Sequence, residues 1–114
     1  MTITNYINKL KQSPDTIMFE EVMAVIEKYY DFSETTFDNG SQHNAAGENS
    51  GSCKLFAFAQ LQGLSKQQTL SAFGQHYRDV FADPNGDSHQ NIRQFMICGW
   101  NKIVFKTQPL SLKN

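Results

Sequence analysis

A glycine- and asparagine-rich stretch from Phe37 to Cys53 constrains most strongly how this chain can fold. The stretch shows no helical period, and three glycines keep it bent. Near its start, Asp38-Asn39-Gly40 predicts a turn, because asparagine and glycine tolerate positive φ at little cost. A loop of this length is unusual in a chain of 114 residues unless it serves a function. We therefore expect it to open a solvent-filled recess on an otherwise apolar helical domain.

Apolar residues recur at helical spacing on both sides of this stretch. The second helical segment carries Met18, Val22 and Val25 on one stripe and should be a central core element. The segment 55–61 also fits a strand by its aromatic content, but a serine before it and Gly63 after it favour a helix. The predicted helices cover about residues 2–12, 15–30, 53–62, 66–82 and 88–98.

Local capping patterns predict where three of these helices begin. Ser50 or Ser52 can cap the third helix, whose first N–H groups need a side-chain acceptor. The same N–H groups could form a small anion nest, although the loop lacks the Gly-Lys-Ser/Thr ending of a phosphate-binding P-loop. The stretch Ser65-Lys66-Gln67-Gln68 reads as a capping box for the fourth. After the turn that follows the fourth helix, Asp87 or Ser88 can cap the fifth.

The pattern as a whole predicts a mainly α fold. We expect a single compact bundle of about five helices, with the long Gly/Asn-rich loop and a minor β pairing between about residues 36–39 and 102–105. Gly74 lies on the apolar side of the fourth helix, where a close approach by a neighbouring helix best explains it. One domain should span residues 1–114, with an N-terminal helix over 1–15, a core over 16–105 and a polar tail over 106–114.

Composition excludes several classes of partner. The formal net charge is −1, so no basic field attracts nucleic acid, and no apolar run is long enough to span a membrane. The N-terminus lacks the basic and apolar regions of a secretory signal peptide. Cys53 and Cys98 are the only cysteines and lie far apart, so we interpret them as free thiols without a disulfide partner in a cytoplasmic protein.

Cys53 is the sharpest candidate for chemistry. In the first turn of a helix its thiolate would lie near the positive end of the macrodipole, which lowers the thiol pKa. His76, His89 or His43 could then act as the base, which makes a thiol-dependent enzyme one hypothesis. The competing interpretation is a small buried cysteine that fills space beside the glycines.

A second set of polar residues predicts a binding site. Arg78 and Arg93 lie on two helices joined by a short turn, so they could clamp a carboxylate in bidentate fashion. An internal ion pair with Glu48 or Asp79 is the alternative for the same two arginines. The predicted ligand-binding residues are Asn39, Asn44, Glu48, Asn49, Arg78, Asp79, Asn91 and Arg93.

No metal site or cofactor is predicted from the sequence. The three histidines lack the i, i+4 or His-x-His spacing of a preformed zinc site. Asp83, Asn85 and Asp87 imitate the opening of a calcium loop, but Ser88 and Gln94 stand where that loop needs glycine and glutamate.

The order of these segments resembles the HopJ type III effector family. The resemblance covers about residues 16 to 105, and it implies no catalytic residues because none is established for the family. It also implies, as one hypothesis, a secreted virulence effector that binds a host protein, although the helical pattern beginning near Met1 does not support a disordered secretion leader. The matching segments are Tyr30-Asp31-Phe32, Phe37-Asp38-Asn39-Gly40, Asn44-Ala45-Ala46-Gly47-Glu48-Asn49-Ser50-Gly51-Ser52-Cys53-Lys54, Phe56-Ala57-Phe58-Ala59, Phe73-Gly74-Gln75-His76-Tyr77-Arg78-Asp79-Val80 and His89-Gln90-Asn91-Ile92-Arg93-Gln94-Phe95-Met96.

The leading functional hypothesis is a small cytosolic binding or regulatory domain. Its partner, an unknown small molecule or protein, would contact the loop 39–52 together with the side that carries Arg78, His89 and Arg93. The absence of a complete catalytic signature and the long glycine-rich loop both favour binding over catalysis.

Overall fold

Six α-helices form most of the structure, a computed structural model that describes residues 1–113. The predicted mainly α fold with a minor sheet is confirmed, and the expected number of about five helices is close. The helices are α1 (Ile3–Gln12), α2 (Phe19–Tyr29), α3 (Ser50–Gln62), α4 (Lys66–Ala72), α5 (Gln75–Ala82) and α6 (Gln90–Cys98), with 3₁₀ turns at Pro14–Thr16 and Gly99–Lys102.

Five short strands make two small antiparallel sheets. The strands are β1 (Tyr30–Phe32), β2 (Phe37–Asn39), β3 (Gln42–Asn44), β4 (Ile103–Phe105) and β5 (Leu110–Leu112). The predicted pairing is confirmed, because β2 pairs with β4 and places Phe37 opposite Phe105. The structure adds a hairpin between β2 and β3 within the Gly/Asn-rich loop.

The C-terminal segment differs from the predicted polar tail. Residues 110–112 form β5, which pairs with β1 and places Leu110 opposite Phe32. Leu110 is buried in the main core. The sequence pattern missed this strand because only three residues alternate, and a pairing partner 78 positions away in the chain leaves no local signal.

The fourth predicted helix is in fact two helices. The helix is interrupted between α4 and α5 at Gly74, whose φ of 62° and ψ of −127° lie outside any helical region. Close approach is confirmed there, but the neighbour is the extended backbone of residues 17–19 rather than another helix. The apolar stripe continues through the break, which is why periodicity alone predicted one helix.

Two of the predicted capping signals are confirmed, and the predicted side-chain caps of two other helices are wrong. The Ser65–Gln68 capping box is confirmed, and so is Gly63 as a left-handed C-terminal residue with φ of 68°. Helices α3 and α6 instead begin after Asn49 and His89, both with left-handed backbone and neither with a side-chain cap. The predicted serine and aspartate caps are therefore corrected.

Helix α3 forms the centre of the core. The helical prediction for this segment is confirmed, since Leu55, Phe56, Ala57, Phe58 and Ala59 are fully buried on consecutive positions. A helix that is apolar all round must be covered by neighbours on all sides. Within residues 1–113, no helix combines the length and the apolar character needed to cross a membrane.

Candidate functional site

A cleft of about 500 Å³ opens where the β2–β3 hairpin and helices α2, α3, α5 and α6 meet. Phe19 and Phe73 stack 6.1 Å apart in nearly parallel planes and make its apolar floor. Its rim is polar, and none of the lining side chains is acidic. The polar groups that line it come from Gln42, Asn49, Gly51, Ser52, His76, His89, Gln90 and Asn91.

Two helix N-termini converge on this cleft. The first residues of α3 (Ser50, Gly51, Ser52) and of α6 (Gln90, Asn91) have backbone N–H groups with no intrahelical acceptor. None of these five N–H groups donates a hydrogen bond to another residue in the described part of the chain. Each helix N-terminus also carries roughly half a positive charge from the helix dipole. The positive ends of two helix dipoles therefore border a cleft that has no lining lysine or arginine.

Four asparagines hold the two helix starts in place. Asn44 and Asn91 form a reciprocal amide pair, with N···O distances of 3.2 and 2.9 Å. Asn39 donates to the backbone oxygen of Asn91 at 2.7 Å, and Asn49 donates to the side-chain oxygen of Asn44 at 2.7 Å. The network therefore ties the hairpin to the beginnings of both α3 and α6.

This network also revises the role of the predicted binding residues. Asn39, Asn44 and Asn91 are buried, so the first two support the cleft from behind rather than lining it. Asn49 and Asn91 do line it. The network is not fully satisfied, because the side-chain oxygen of Asn39 is buried without a hydrogen-bond partner. An unpaired buried polar atom of this kind costs about 1–3 kcal/mol, whereas the paired amides of Asn44, Asn49 and Asn91 hold their surroundings in place.

Asn49 and His89 have the left-handed backbone conformation, with φ of 51° and 53°. They are the only non-glycine residues with positive φ among residues 1–113, and both line the cleft. Such conformations cost of order 1–3 kcal/mol and persist where the surrounding structure enforces them. Here the asparagine network enforces both through Asn49 itself and through Asn91.

Two histidines stand together at one end of the cleft. The ring centroids of His76 and His89 are 5.0 Å apart. The ring of His76 also packs edge-to-face with Phe19, with 5.0 Å between the two centroids. Asp79 follows His76 by one helical turn on α5 and approaches the same two rings. The sequence predicted that the polar sides of these two helices meet across the short turn between them, but it did not single out these three residues as one cluster.

The predicted reactive thiol is not on the cleft. Cys53 is 2 % exposed and packs in the main core. Burial raises the pKa of its thiol to about 11, while Lys54 acts weakly in the opposite direction. The expected lowering of this pKa is wrong, because α3 starts three residues earlier than predicted and Cys53 faces inward from its first turn.

This burial predicts a clear labelling pattern. Iodoacetamide at about pH 8 should modify the half-buried Cys98 of the native protein and leave Cys53 unmodified, since only about one thiol in a thousand ionises three units below its pKa. Peptide mass spectrometry after timed quenching measures both sites. In denaturant the two cysteines should label alike, and equal rates in the native protein would contradict the buried position of Cys53.

The two arginines do not form a shared clamp. Arg78 donates to the backbone oxygen of Ile17 at 3.0 Å, and Arg93 donates to the backbone oxygen of Asp83 at 3.0 Å. Glu48 instead accepts from the backbone N–H of Ala45 at 2.8 Å and pins the loop. Each arginine therefore braces a different loop, and neither arginine lines the cleft.

Sequence reasoning missed several lining residues. Gln42 and Gln90 carry no motif, and Phe19 looked like a flank of a core helix. Ser52 was considered as a helix cap and as part of the loop 39–52 that a partner would contact. The free N–H groups at this helix start were the signal for a small anion nest in the same loop.

Comparison with known proteins supports the family resemblance. A crystal structure described as that of VPA0580, a protein of unknown function, is 48 % identical and superimposes with a TM-score of 0.97 over 99 % of this chain and 95 % of that chain. No curated protein matches the chain by sequence. The sequence model described as HopJ type III effector protein matches residues 3–110. The chain therefore belongs to the HopJ type III effector protein family.

Proposed function

We propose that this domain binds a small molecule bearing a carboxylate or phosphate group in the cleft between α3 and α6. The observation that carries the proposal is the convergence of two helix N-termini on one cleft without a lining acidic side chain. Free backbone N–H groups and the helix dipole together favour an anion at such a place. The domain would thus act by binding, as the sequence pattern also favours.

The rigidity of the cleft supports binding as the main task. The reciprocal pair of Asn44 and Asn91 fixes both helix starts before any ligand arrives. A preformed site loses less conformational entropy on binding, which raises affinity. The left-handed residues Asn49 and His89 are consistent with this, since strain of this kind clusters at binding sites.

The floor of the cleft sets the second feature of the ligand. Phe19 and Phe73 present apolar surface beneath the polar rim, and Gly51 packs against the ring of Phe19 without a side chain in between. Pockets of this composition bind molecules that combine an apolar body with a few polar groups. We therefore expect an anionic group at the helix starts and an apolar or planar part on the phenylalanines.

The variant Ser52→Asp tests this proposal. Ser52 is the third residue of α3, where an aspartate is favourable for the helix and should leave the free energy of unfolding unchanged or raise it by up to ~1 kcal/mol. Its carboxylate would repel a bound anion. With orthophosphate and ribose 5-phosphate as probes, in the presence of a chelator, we expect affinity to fall at least ~10-fold. Amide chemical shifts at residues 50–52, 90 and 91 measure the binding.

The matched control places the same charge at another helix start. Ser65→Asp keeps a good N-cap on α4, which does not line the cleft, so phosphate affinity should be unchanged. The proposal fails if the wild-type shifts are no larger at the five cleft amides than elsewhere. It fails equally if both aspartate variants weaken binding to the same extent.

Membership of the HopJ family supports a second, separate proposal about location. The family description names type III effectors, so delivery into a host cell and contact with a host protein are compatible with it. A cytoplasmic location remains the expectation from the two free thiols. Fusing the N-terminal residues of this chain to a translocation reporter separates the two locations.

A further inference from the structure

Three metal-ligating side chains come together at one end of the cleft. His76 and Asp79 lie one turn apart on α5, and His89 is the residue that precedes α6. One ligand atom from each lies within 4.8 Å of those from the other two. The turn from Asp83 to Ser88 folds α6 back against α5 and creates this proximity, which the 13-residue separation of the histidines hides in the sequence.

These three side chains have no other evident task. Within residues 1–113, none of them makes a hydrogen bond or an ion pair, although the chain has 36 hydrogen bonds that involve side chains. The two imidazole rings face each other 5.0 Å apart without an acceptor that links them. Their ligand atoms are therefore not committed to other residues and are available to a metal ion.

The backbone conformation of His89 and its neighbours fix where its side chain lies. Its left-handed backbone, with φ of 53°, places its side chain beside α5 instead of along α6. Asn91, two positions further along the chain, is held by a hydrogen bond to the buried Asn44, and this contact supports the left-handed conformation of His89. His76 is fixed in a similar way, since its ring packs edge-on against Phe19.

The donor set selects a class of metal. Two imidazoles and one carboxylate suit borderline transition metals such as Zn²⁺ or Fe²⁺, whereas Ca²⁺ and Mg²⁺ prefer oxygen ligands alone. Tetrahedral coordination at about 2.0 Å brings ligand atoms about 3.3 Å apart. His89 and Asp79 are exposed, so no packed neighbour prevents their side chains from turning toward a shared ion.

We propose that His76, Asp79 and His89 bind a divalent transition-metal ion at the rim of the cleft. Three protein ligands leave at least one coordination position open, as in sites that bind a further molecule rather than in purely structural ones. Both histidines line the cleft, so an ion held by them would lie beside the space in which a ligand binds. The sequence predicted no metal site because the spacing of the histidines along the chain matches no zinc motif. The proposal goes beyond the anion site, because the metal ion can bind without an anion in the cleft.

The test is a titration of tag-free, chelator-treated protein with Zn²⁺ and with Co²⁺. We expect one ion per chain, and Co²⁺ absorption in the visible region reports its coordination geometry. His76→Gln and His89→Asn remove one imidazole each, and asparagine tolerates the left-handed backbone that His89 adopts. Each should weaken Zn²⁺ binding at least ~100-fold, since even outer-shell changes cost 10–100-fold. Asp79→Asn should weaken it as well.

His43→Gln is the matched control. His43 is an exposed histidine on β3 whose ring bonds Asp38 at 2.6 Å, and it does not line the cleft. Its loss should leave stoichiometry and affinity unchanged. The proposal is overturned if the double variant of His76 and His89 binds Zn²⁺ as tightly as wild type, or if wild type shows no single-site binding. Circular dichroism of each variant shows whether weaker Zn²⁺ binding reflects the missing side chain or an unfolded protein. Phosphate binding measured in the presence of a chelator tests the anion site independently of the metal site.

Discussion

Gly74→Ala is expected to lower the free energy of unfolding by more than ~4 kcal/mol, a loss large enough to leave little folded protein. A Cβ at this position would lie 2.5 Å from the backbone nitrogen of Phe19 and 2.8 Å from the backbone oxygen of Ile17. Both are main-chain atoms, so no side-chain rotation relieves the overlap. The backbone of Gly74, with φ of 62° and ψ of −127°, is also one that alanine rarely adopts.

The damage should extend to the start of α2. Beside Gly74, the Gln75 side chain accepts from the backbone N–H of Phe19 at 2.8 Å and donates to Glu20 at 2.9 Å. Moving the chain outward at Gly74 would break both contacts and displace Phe19 from the cleft floor. Urea unfolding followed by circular dichroism measures the loss of stability, or a low yield of folded protein records it directly.

Gly63→Ala is the control for this experiment. Gly63 also has positive φ, at 68°, but a Cβ there would meet nothing within 4 Å. Its replacement should therefore cost only the conformational strain, about 1–2 kcal/mol. If the two alanine variants lose equal stability, backbone contact at Gly74 is not what makes a glycine necessary there.

Phe56→Ala is expected to cost about 3–5 kcal/mol, the usual range for removing a fully buried aromatic ring. Phe56 is 0 % exposed on α3. Its ring lies 5.0 Å from Phe95 and 5.4 Å from Phe73, and it also reaches Phe37 and Trp100 at 6.4 Å. These partners come from β2, from the junction of α4 and α5, from α6 and from the 3₁₀ turn at Gly99–Lys102, so a cavity at Phe56 removes contacts between several elements at once.

Phe81→Ala provides the matched comparison on a helix surface. The Phe81 side chain is 72 % exposed, so truncation should change the free energy of unfolding by less than ~1 kcal/mol. Chemical denaturation of both variants under identical conditions gives the difference. A Phe56 variant that is no less stable than the Phe81 variant would mean that the aromatic cluster around α3 does not hold the fold together.

Local signals in the sequence predicted much of this fold correctly. The capping box at Ser65 and Gln68, the stop at Gly63 and the β pairing between about residues 36–39 and 102–105 all occur as expected. The first two depend on contacts within a few residues, so a short window of sequence contains the whole interaction. The strand pairing was detectable because a β-branched run follows the last helix and a turn signal follows Phe37.

Errors arose where a distant segment decided the local structure. The break at Gly74 depends on the backbone of residues 17–19, and the left-handed starts at Asn49 and His89 depend on buried amides. Residues 17–19 are far from Gly74 in the sequence, and the amide pair of Asn44 and Asn91 spans 47 positions. The prediction for Cys53 was wrong for the same reason. Burial by surrounding segments raises the pKa of its thiol, which the nearby helix start was expected to lower.

The sequence alone determined the helical class, most helix ends, the family and the glycine-rich stretch that borders the cleft. Periodicity and capping are interactions between near neighbours, and these are written directly in the order of residues. Only the tertiary structure decided which polar groups meet: His76 and Asp79 with His89, and Asn44 with Asn91. Proximity of this kind depends on how helices pack across the core, where residues far apart in the chain become neighbours.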